Sequence, residues 1–179
     1  MNSRTFFLKP FPSGDVPQEL KISCEIGRSA ETLSLCYELL CPVSKLLIPV
    51  RSDKPERRSG LWENTCLELF IGLKDSASYW EFNLSPSGDW NAYRFESYRR
   101  GMMEEPAFTC FPFNVITLTD SLRVFAEVDL GKIAQSGRAL EAGMSAVIKA
   151  ADESRSYWAL EHTGNCPDFH RRDCFTVEL

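Results

Sequence analysis

The sequence predicts an all-β protein, an antiparallel β-sandwich of the jelly-roll kind with at most one or two short helices. Three observations predict this class. Apolar residues recur at every second position over most of the chain, turn-forming residues separate these segments, and only one stretch has a helical pattern. The 179 residues can bury a core and contain no linker or internal repeat. The expected organisation is one domain over residues 1–179.

The first predicted strands alternate apolar and polar residues. Residues 20–26 and 33–39 place Leu, Ile, Cys or Tyr at every second position, as in a strand with one buried face. Residues 45–50 are an edge-strand candidate, because Pro49 cannot donate a backbone hydrogen bond. The polar stretch 51–60 that follows is typical of a loop.

The central and C-terminal segments continue this pattern. Residues 66–73 form the most strongly apolar strand, and residues 79–85 and 90–95 flank a turn whose Pro and Gly suit a hairpin. Residues 131–143 are the one helix candidate. Further strands are predicted over residues 114–118, 122–130, 144–150, 157–160 and 174–179.

Charge and composition exclude several classes of protein. The chain carries 25 acidic and 20 basic side chains, which argues against a protein that holds the nucleic-acid backbone with a basic patch. No stretch approaches the ~18 consecutive apolar residues of a membrane span. Apolar residues make up 44% of the chain, too many for a disordered protein. We expect a folded domain with no nucleic-acid or membrane partner.

The cysteines indicate a reducing compartment. There are seven, at positions 24, 36, 41, 66, 110, 166 and 174. An odd number, behind an N-terminus without the apolar segment of an export signal, is not typical of a secreted disulfide framework. We therefore expect reduced thiols, several of them in the core, and a cytoplasmic protein.

A polar face follows from the alternation in residues 66–73 and 79–85. The side chains opposite the apolar face are Glu68, Glu81, Asn83 and Ser85. If the two strands pair, these groups share a surface, and Trp62 arrives from the preceding loop. A ring beside carboxylate and amide groups suits a sugar, whose C–H face packs on the ring and whose hydroxyls form hydrogen bonds. The simpler interpretation is a solvated strand face.

Glu68 and Glu81 leave a catalytic alternative open. Glycoside hydrolases use two carboxyl groups at about 5–5.5 or 6.5–9.5 Å on either side of the scissile bond. The sequence does not supply that distance, and acidic pairs are common on solvated sheets. We therefore expect a binding protein rather than an enzyme.

Residues 90–100 interleave aromatic residues with arginine. Such a segment can stack against sugars or nucleotides, and the acidic balance of the chain disfavours the nucleic-acid version. Trp90, Tyr93 and Arg99 are therefore candidates for the rim of a binding site, together with His162. The alternative is that the arginines pair with neighbouring glutamates.

Four potential zinc ligands recur at every fourth position near the C-terminus. They are His162, Cys166, His170 and Cys174. A spacing of four aligns side chains only on a helix, and Gly164 and Pro167 disfavour a helix here. We expect no cofactor, with zinc as an alternative.

Three segments resemble family nine carbohydrate-binding modules of the DOMON-like superfamily. Residues 61–71, LWENTCLELFI, resemble the W-x-x-D-x-x-E-x-F segment of these modules, and residues 79–88 resemble their y-x-q-f-x-v-n-p-x-G hairpin. Residues 167–169, before a closing strand, are similar to their P-x-x-F-G ending. Residues 79–93 look most like a bacterial, often cyanobacterial, DOMON-like branch. The resemblance covers about residues 15–179 in the order of elements.

The resemblance implies a β-sandwich that binds a sugar in a pocket on one sheet. Trp62 matches the first stacking tryptophan of the family, and Glu68 matches its hydrogen-bonding acid. Thr65 stands where the motif usually has Asp. The family's second stacking tryptophan has no counterpart before the P-x-x-F ending, where His162 or Trp158 are the available substitutes.

Other DOMON branches imply haem as the ligand. Haem needs axial ligands such as Met with His or Lys, and Met102, Met103 and the two histidines are the candidates. The prediction remains a non-catalytic domain for a carbohydrate or a sugar-like polar small molecule.

Overall fold

The computed structural model describes residues 3–12, 17 and 19–179, which form thirteen strands and four 3₁₀ helices. In chain order the strands are β1 (Ser3–Phe7), β2 (Lys9–Pro10), β3 (Lys21–Ser29), β4 (Thr32–Leu40), β5 (Cys66–Leu73), β6 (Tyr79–Leu84), β7 (Trp90–Phe95), β8 (Met103–Glu104), β9 (Phe113–Thr117), β10 (Ser121–Asp129), β11 (Leu140–Lys149), β12 (Arg155–Ala159) and β13 (Val177–Glu178). The 3₁₀ helices span Val43–Lys45, Leu61–Glu63, Leu130–Lys132 and Arg172–Cys174. None of these helices has the length to cross a lipid bilayer.

The strands form two antiparallel sheets packed as a sandwich, as the sequence predicts. Sheet one has the order β1-β3-β4-β10-β9. Sheet two has the order β2-β12-β11-β5-β6-β7-β8, and β13 also pairs with β11. Hairpin-like neighbours such as β3–β4, β5–β6–β7 and β11–β12 follow one another directly in the chain.

The core lies between the sheets because each strand turns alternate side chains inward. From β4 it receives Leu33, Leu35, Tyr37 and Leu39. From β5 it receives Leu67, Leu69 and Ile71. Full burial of such a side chain contributes about 1.5–3 kcal/mol, so the period-two pattern fixes which face of each strand points inward.

Three predicted elements differ from the structure. The helix expected over residues 131–143 is wrong, since only Leu130–Lys132 is helical and β11 already begins at Leu140. Gly137 in this segment has a φ of 80°, a left-handed conformation that an α-helix does not contain. Residues 45–50 form no strand. Only Val177–Glu178 of the predicted terminal strand is extended, since Cys174 ends a 3₁₀ helix.

Part of the outer face of sheet two is buried as well, under a second apolar cluster. The cluster consists of Phe70, Tyr79, Tyr93, Phe95, Cys174 and Phe175, with Phe169 against it. Its last members come from the segment after β12, which folds back over the sheet. We call residues 160–176 the C-terminal cover.

Tyr37 links the two sheets through a hydrogen bond inside the core. Its hydroxyl is fully buried and donates to the backbone carbonyl of Glu68. We expect Tyr37→Phe to lower the free energy of unfolding by about 1–2 kcal/mol, since the carbonyl stays buried without its donor. Denaturant unfolding would measure this loss. Tyr157→Phe, which removes a hydroxyl without a hydrogen bond to any described residue, is the matched control, and an equal effect of both substitutions would contradict the prediction.

All seven cysteines are free. Cys24, Cys41, Cys66 and Cys174 are buried, whereas Cys110 and Cys166 are exposed. The expected use of several thiols as small core side chains is confirmed for the four buried ones. Burial raises the pKa of the Cys24 and Cys66 thiols well above the ordinary value, so both remain protonated.

Candidate functional site

An open depression of about 360 Å³ lies on the outer face of sheet two. Neighbouring strands supply its floor, in the order Tyr157 of β12, Val147 of β11, Glu68 of β5, Glu81 of β6 and Phe95 of β7. These positions share one face because side chains alternate along each strand. Two other surface depressions have similar volumes, but neither contains a buried carboxyl group between aromatic rings.

Glu68 and Glu81 form the polar centre of the floor. Glu68 is directly opposite Asn83, and Glu81 is directly opposite Phe70. The two acids are therefore diagonal neighbours on adjacent strands, positions that are about 7–8 Å apart. Only 3% of Glu68 and 4% of Glu81 is exposed.

Each of the two carboxyl groups receives one hydrogen bond. Ser145 Oγ donates to Oε2 of Glu68 at 3.2 Å, and Asn83 Nδ2 donates to Oε1 of Glu81 at 2.8 Å. No buried side-chain nitrogen or oxygen among the described residues lacks a hydrogen-bond partner. The second oxygen of each carboxyl group is therefore the one that reaches the depression.

Burial raises the pKa of both acids. The pKa of Glu81 rises to about 7, against the hydrogen bond from Asn83 and the charge of Arg99, which lower it. The pKa of Glu68 lies well above its ordinary value, first because of burial and second because of the charge of Glu81. The two carboxyl groups of this floor therefore bind protons more tightly than ordinary carboxyl groups do.

Trp62 forms one aromatic side of the depression. It lies in the 3₁₀ helix Leu61–Glu63, which follows Gly60 in the left-handed conformation, and its ring meets Tyr93 edge-on at 6.0 Å. With 37% exposed it is the most accessible of the four tryptophans, since Trp80, Trp90 and Trp158 are buried. Its ring is therefore available to a ligand.

The C-terminal cover forms the opposite side. Phe169 and Pro167 line the depression there, and Phe169 packs against Tyr157 at 6.3 Å between ring centroids. Tyr157 and Phe169 thus border the side of β12, and Trp62 borders the side of β7. The two acids lie between these aromatic groups.

Arg99 and Asp168 connect the loop after β7 to the C-terminal cover. The Arg99 guanidinium donates to Asp168 Oδ1 through Nη2 at 2.8 Å and through Nε at 3.2 Å. Tyr98 also donates to Asp168. These contacts hold the pKa of Asp168 below its ordinary value, and its carboxylate offsets the charge of Arg99.

His170 lies over the floor as a neutral side chain. Its Nδ1 shares a hydrogen bond with the Tyr79 hydroxyl at 2.9 Å, and its Nε2 lies 3.8 Å from Oε2 of Glu81. Burial, followed by the charge of Arg99, lowers its pKa to about 4. The 3.8 Å contact is therefore not an ion pair near neutral pH.

Arg172 anchors the C-terminal cover to sheet two. Its guanidinium donates to the carbonyls of Leu73, Ser76 and Ser78 at 2.9–3.2 Å. It also forms an ion pair with Glu141 of β11 and lies 5.2 Å above the Phe175 ring. The position of Phe169 and His170 depends on this anchor.

The structure brings four of the nine sequence-predicted site residues into the depression: Trp62, Glu68, Glu81 and Arg99. Asn83 and Tyr93 lie directly behind them, because each is hydrogen-bonded or packed against one of the four.

The other three predicted residues lie elsewhere. Ser85 is in the turn after β6, where its Oγ accepts a hydrogen bond from Ser87. Trp90 points into the core and is stacked by Arg57 at 4.5 Å, because the inward face of β7 contains Trp90 and Ala92. His162 contacts Phe11 and the Lys9 carbonyl, and it reaches the site only through Phe169.

Sequence reasoning did not assign Tyr157, Phe169, His170 or Arg155 to the sugar site. The adjacent aromatic residues Tyr157 and Trp158 do not reveal which of them faces inward; the structure buries Trp158 in the core. The sequence indicates Phe169 only as part of the family ending and His170 only as a candidate ligand of zinc or haem. Their place over sheet two depends on the fold of the C-terminal cover, which no local pattern encodes.

The four spaced histidines and cysteines do not converge. Cys166 is exposed, Cys174 contacts Thr163, and the two histidines contact different partners. Within the described ranges, no three His, Cys, Asp or Glu side chains are placed to share a metal ion. The spacing of four does not bring these side chains together, because residues 162–174 do not form an α-helix.

Haem does not fit the donor set of the depression. Met102 and His170 both line it, but Nδ1 of His170 is engaged by Tyr79 and Nε2 faces the Glu81 carboxyl group. Met103 lies in the exposed edge strand β8, away from the floor. In the part of the chain that the structure describes, no pair of axial ligands therefore faces across this site.

Comparisons with known proteins agree with the fold. The chain is similar to a candidate carbohydrate-binding protein from Bacteroides uniformis, with 13% identity over 96% of this chain and 84% of that one and a TM-score of 0.72. It is also similar to a family 9 carbohydrate-binding module from Caldicellulosiruptor kristjanssonii, solved with cellotriose and with glucose. Identity is 16% over 88% of this chain and 74% or 76% of the other, with TM-scores of 0.53 and 0.51.

No family model and no curated protein matches the sequence. The likeness of this chain to the fold of family 9 carbohydrate-binding modules therefore rests on the structure alone. The assignment to the wider DOMON-like superfamily stays a prediction.

Proposed function

We propose that the protein binds a carbohydrate, or a sugar-like polar small molecule, in the depression and does not transform it. The observation that carries this proposal is the pair of buried acids, Glu68 and Glu81, between aromatic groups on two sides. Sugars present C–H faces that pack on rings and hydroxyls that need directed acceptors. The structural neighbours solved with cellotriose and glucose support the same class of ligand.

In this proposal the aromatic groups have separate roles. Trp62 is the exposed platform on the side of β7, and Tyr157 with Phe169 takes the place of the second stacking tryptophan on the side of β12. The buried Trp158 does not have that role, and His162 supports Phe169 from behind. The open oxygens of Glu68 and Glu81 accept hydroxyl hydrogen bonds, with Arg99 as a donor at the rim.

The free thiols support a further part of the proposal, a reducing cytoplasmic setting. The exposed Cys110 and Cys166 would be open to oxidation elsewhere.

Trp62→Ala tests the proposal. Loss of a stacking ring removes about 1.5–3 kcal/mol of apolar burial, so we expect sugar binding to weaken by roughly 10- to 100-fold. A glycan array identifies the ligand, and titration calorimetry then measures its affinity for the wild type and the variant, because this readout does not depend on the tryptophan that the substitution removes. Phe7→Ala, which removes an exposed ring on sheet one, is the control.

Binding by Trp62→Ala and an assay with aryl glycosides distinguish the binding proposal from its alternatives. Binding that is unchanged in Trp62→Ala would contradict the platform. Turnover of aryl glycosides by the wild type, lost in Glu68→Gln, would replace the binding proposal with glycoside hydrolysis by the paired acids.

A further inference from the structure

We infer that the depression selects a sugar that carries a protonated amino group, because its two buried carboxyl groups have too few donors and face aromatic rings. The inference rests on the proposed function and specifies the ligand class of the same site. It follows from three properties of the depression: the few hydrogen-bond donors to its carboxyl groups, the charges of the neighbouring side chains, and the aromatic lining.

The first property is the shortage of hydrogen-bond donors. Glu68 receives its side-chain hydrogen bond from Ser145 and Glu81 receives its own from Asn83, so one oxygen of each has no donor among the described residues. A carboxylate offers about four lone-pair sites. A sugar hydroxyl donates one hydrogen bond, whereas an ammonium group donates three and also supplies charge.

The second property is that no lysine or arginine among the described residues forms an ion pair with either acid, although the charge of Arg99 acts on both. Arg99 is held in two hydrogen bonds by Asp168. His170 is neutral and shares its Nδ1 with Tyr79. Arg155 lies at the rim on β12, two strands from Glu68, and has no ion-pair partner among the residues that the structure describes.

The third property is the aromatic lining. Rings of Trp62, Phe95, Tyr157 and Phe169 border the same depression. The face of an aromatic ring attracts a cation within about 6 Å. Acids on the floor with rings around them match an organic cation better than they match a neutral hydroxyl group.

Proton binding at the floor gives this inference a signature. The pKa of Glu81 is about 7, so most of this group is protonated at pH 6, and burial together with the charge of Glu81 raises the pKa of Glu68 as well. An ammonium group stabilises the ionised carboxylates. Its binding therefore breaks a carboxyl O–H bond and releases that proton to the buffer, while the ligand keeps its own protons.

Calorimetry with three matched ligands tests the inference on the wild type. Glucosamine, glucose and glucuronic acid differ in one charged group on the same sugar. At pH 6 we expect glucosamine to bind at least tenfold more tightly than glucose. Titrations in two buffers of different ionisation enthalpy should show proton release with glucosamine and none with glucose. Glu81→Gln should reduce both the preference and the proton release, whereas Glu127→Gln, on the exposed face of sheet one, should change neither.

The outcomes distinguish the two proposals. If glucose binds as tightly as glucosamine, or glucuronic acid binds more tightly than both, the amino-sugar inference is overturned and sugar binding stands. Tighter binding of glucuronic acid would point to Arg155 as the recognising charge. If none of the three sugars binds and the glycan array is also empty, both proposals fail.

Discussion

Replacement of Arg172 by methionine is expected to lower the free energy of unfolding by about 3 kcal/mol, the lower end of the cost of breaking a buried ion pair. About a fifth to a quarter of the Arg172 and Glu141 side chains is exposed, which keeps the cost at that lower end. The substitution also removes one hydrogen-bond donor from each of three backbone carbonyls, of which that of Leu73 keeps the Ser76 N–H. Urea unfolding measures the change.

The same variant should weaken ligand binding, although Arg172 does not line the depression. Phe169 and His170 precede it by two or three positions, and their placement depends on its hydrogen bonds. Arg171→Met is the matched control, because Arg171 is an exposed neighbour paired with Asp173, and such pairs contribute about 0–1 kcal/mol. Equal losses in both variants would show that Arg172 is an ordinary surface arginine.

Glu81→Gln is expected to raise the free energy of unfolding relative to the wild type. This gain should be about 3 kcal/mol larger at pH 8 than at pH 4.5, because folding raises the pKa of Glu81 from 4.5 to about 7. In the wild type, Glu81 holds its proton more tightly in the folded state than in the unfolded state. The stability that this proton supplies is therefore complete below pH 4.5 and is lost as the pH rises through about 7. Glutamine keeps an acceptor for Asn83 but cannot ionise.

The comparison between variant and wild type measures the whole effect of the Glu81 charge, including its effect on the pKa of Glu68. His170 has the opposite sign, since its lowered pKa gives stability that is present above pH 6.5 and lost as the pH falls through about 4. Because His170 is present in both proteins, the difference between them largely cancels its contribution. Urea unfolding at both pH values measures the change, with Glu127→Gln as the exposed control. If the free energies of unfolding of variant and wild type differ by the same amount at both pH values, the raised pKa of Glu81 is contradicted.

The polar floor could be predicted because it depends on local geometry. Glu68 and Glu81 lie on strands whose opposite faces are continuously apolar, so alternation alone turns both acids outward. Consecutive strands with a short turn pair with each other, which brings the acids together. Trp62 followed from its position just before the first of these strands.

The second side of the depression could not be predicted, because it is made by contacts between distant segments. Phe169 and His170 have no periodic pattern, and they reach sheet two through Arg172, Asp168 and their partners. Trp90 shows the converse error, since an aromatic residue beside arginine looked like a rim residue. Its alternation with Ala92 was the signal for the core face.

The Tyr79 hydroxyl, which contacts both the Arg99 backbone and His170, has a consequence for how the protein is assembled. The strands β5–β7, which contain the two acids, are synthesised long before the C-terminal cover, and closing so long a loop costs entropy that only later contacts repay. A nascent chain therefore has the two acids in place before it has a complete binding site. Affinity for a ligand should appear late in refolding, together with the packing around Tyr79.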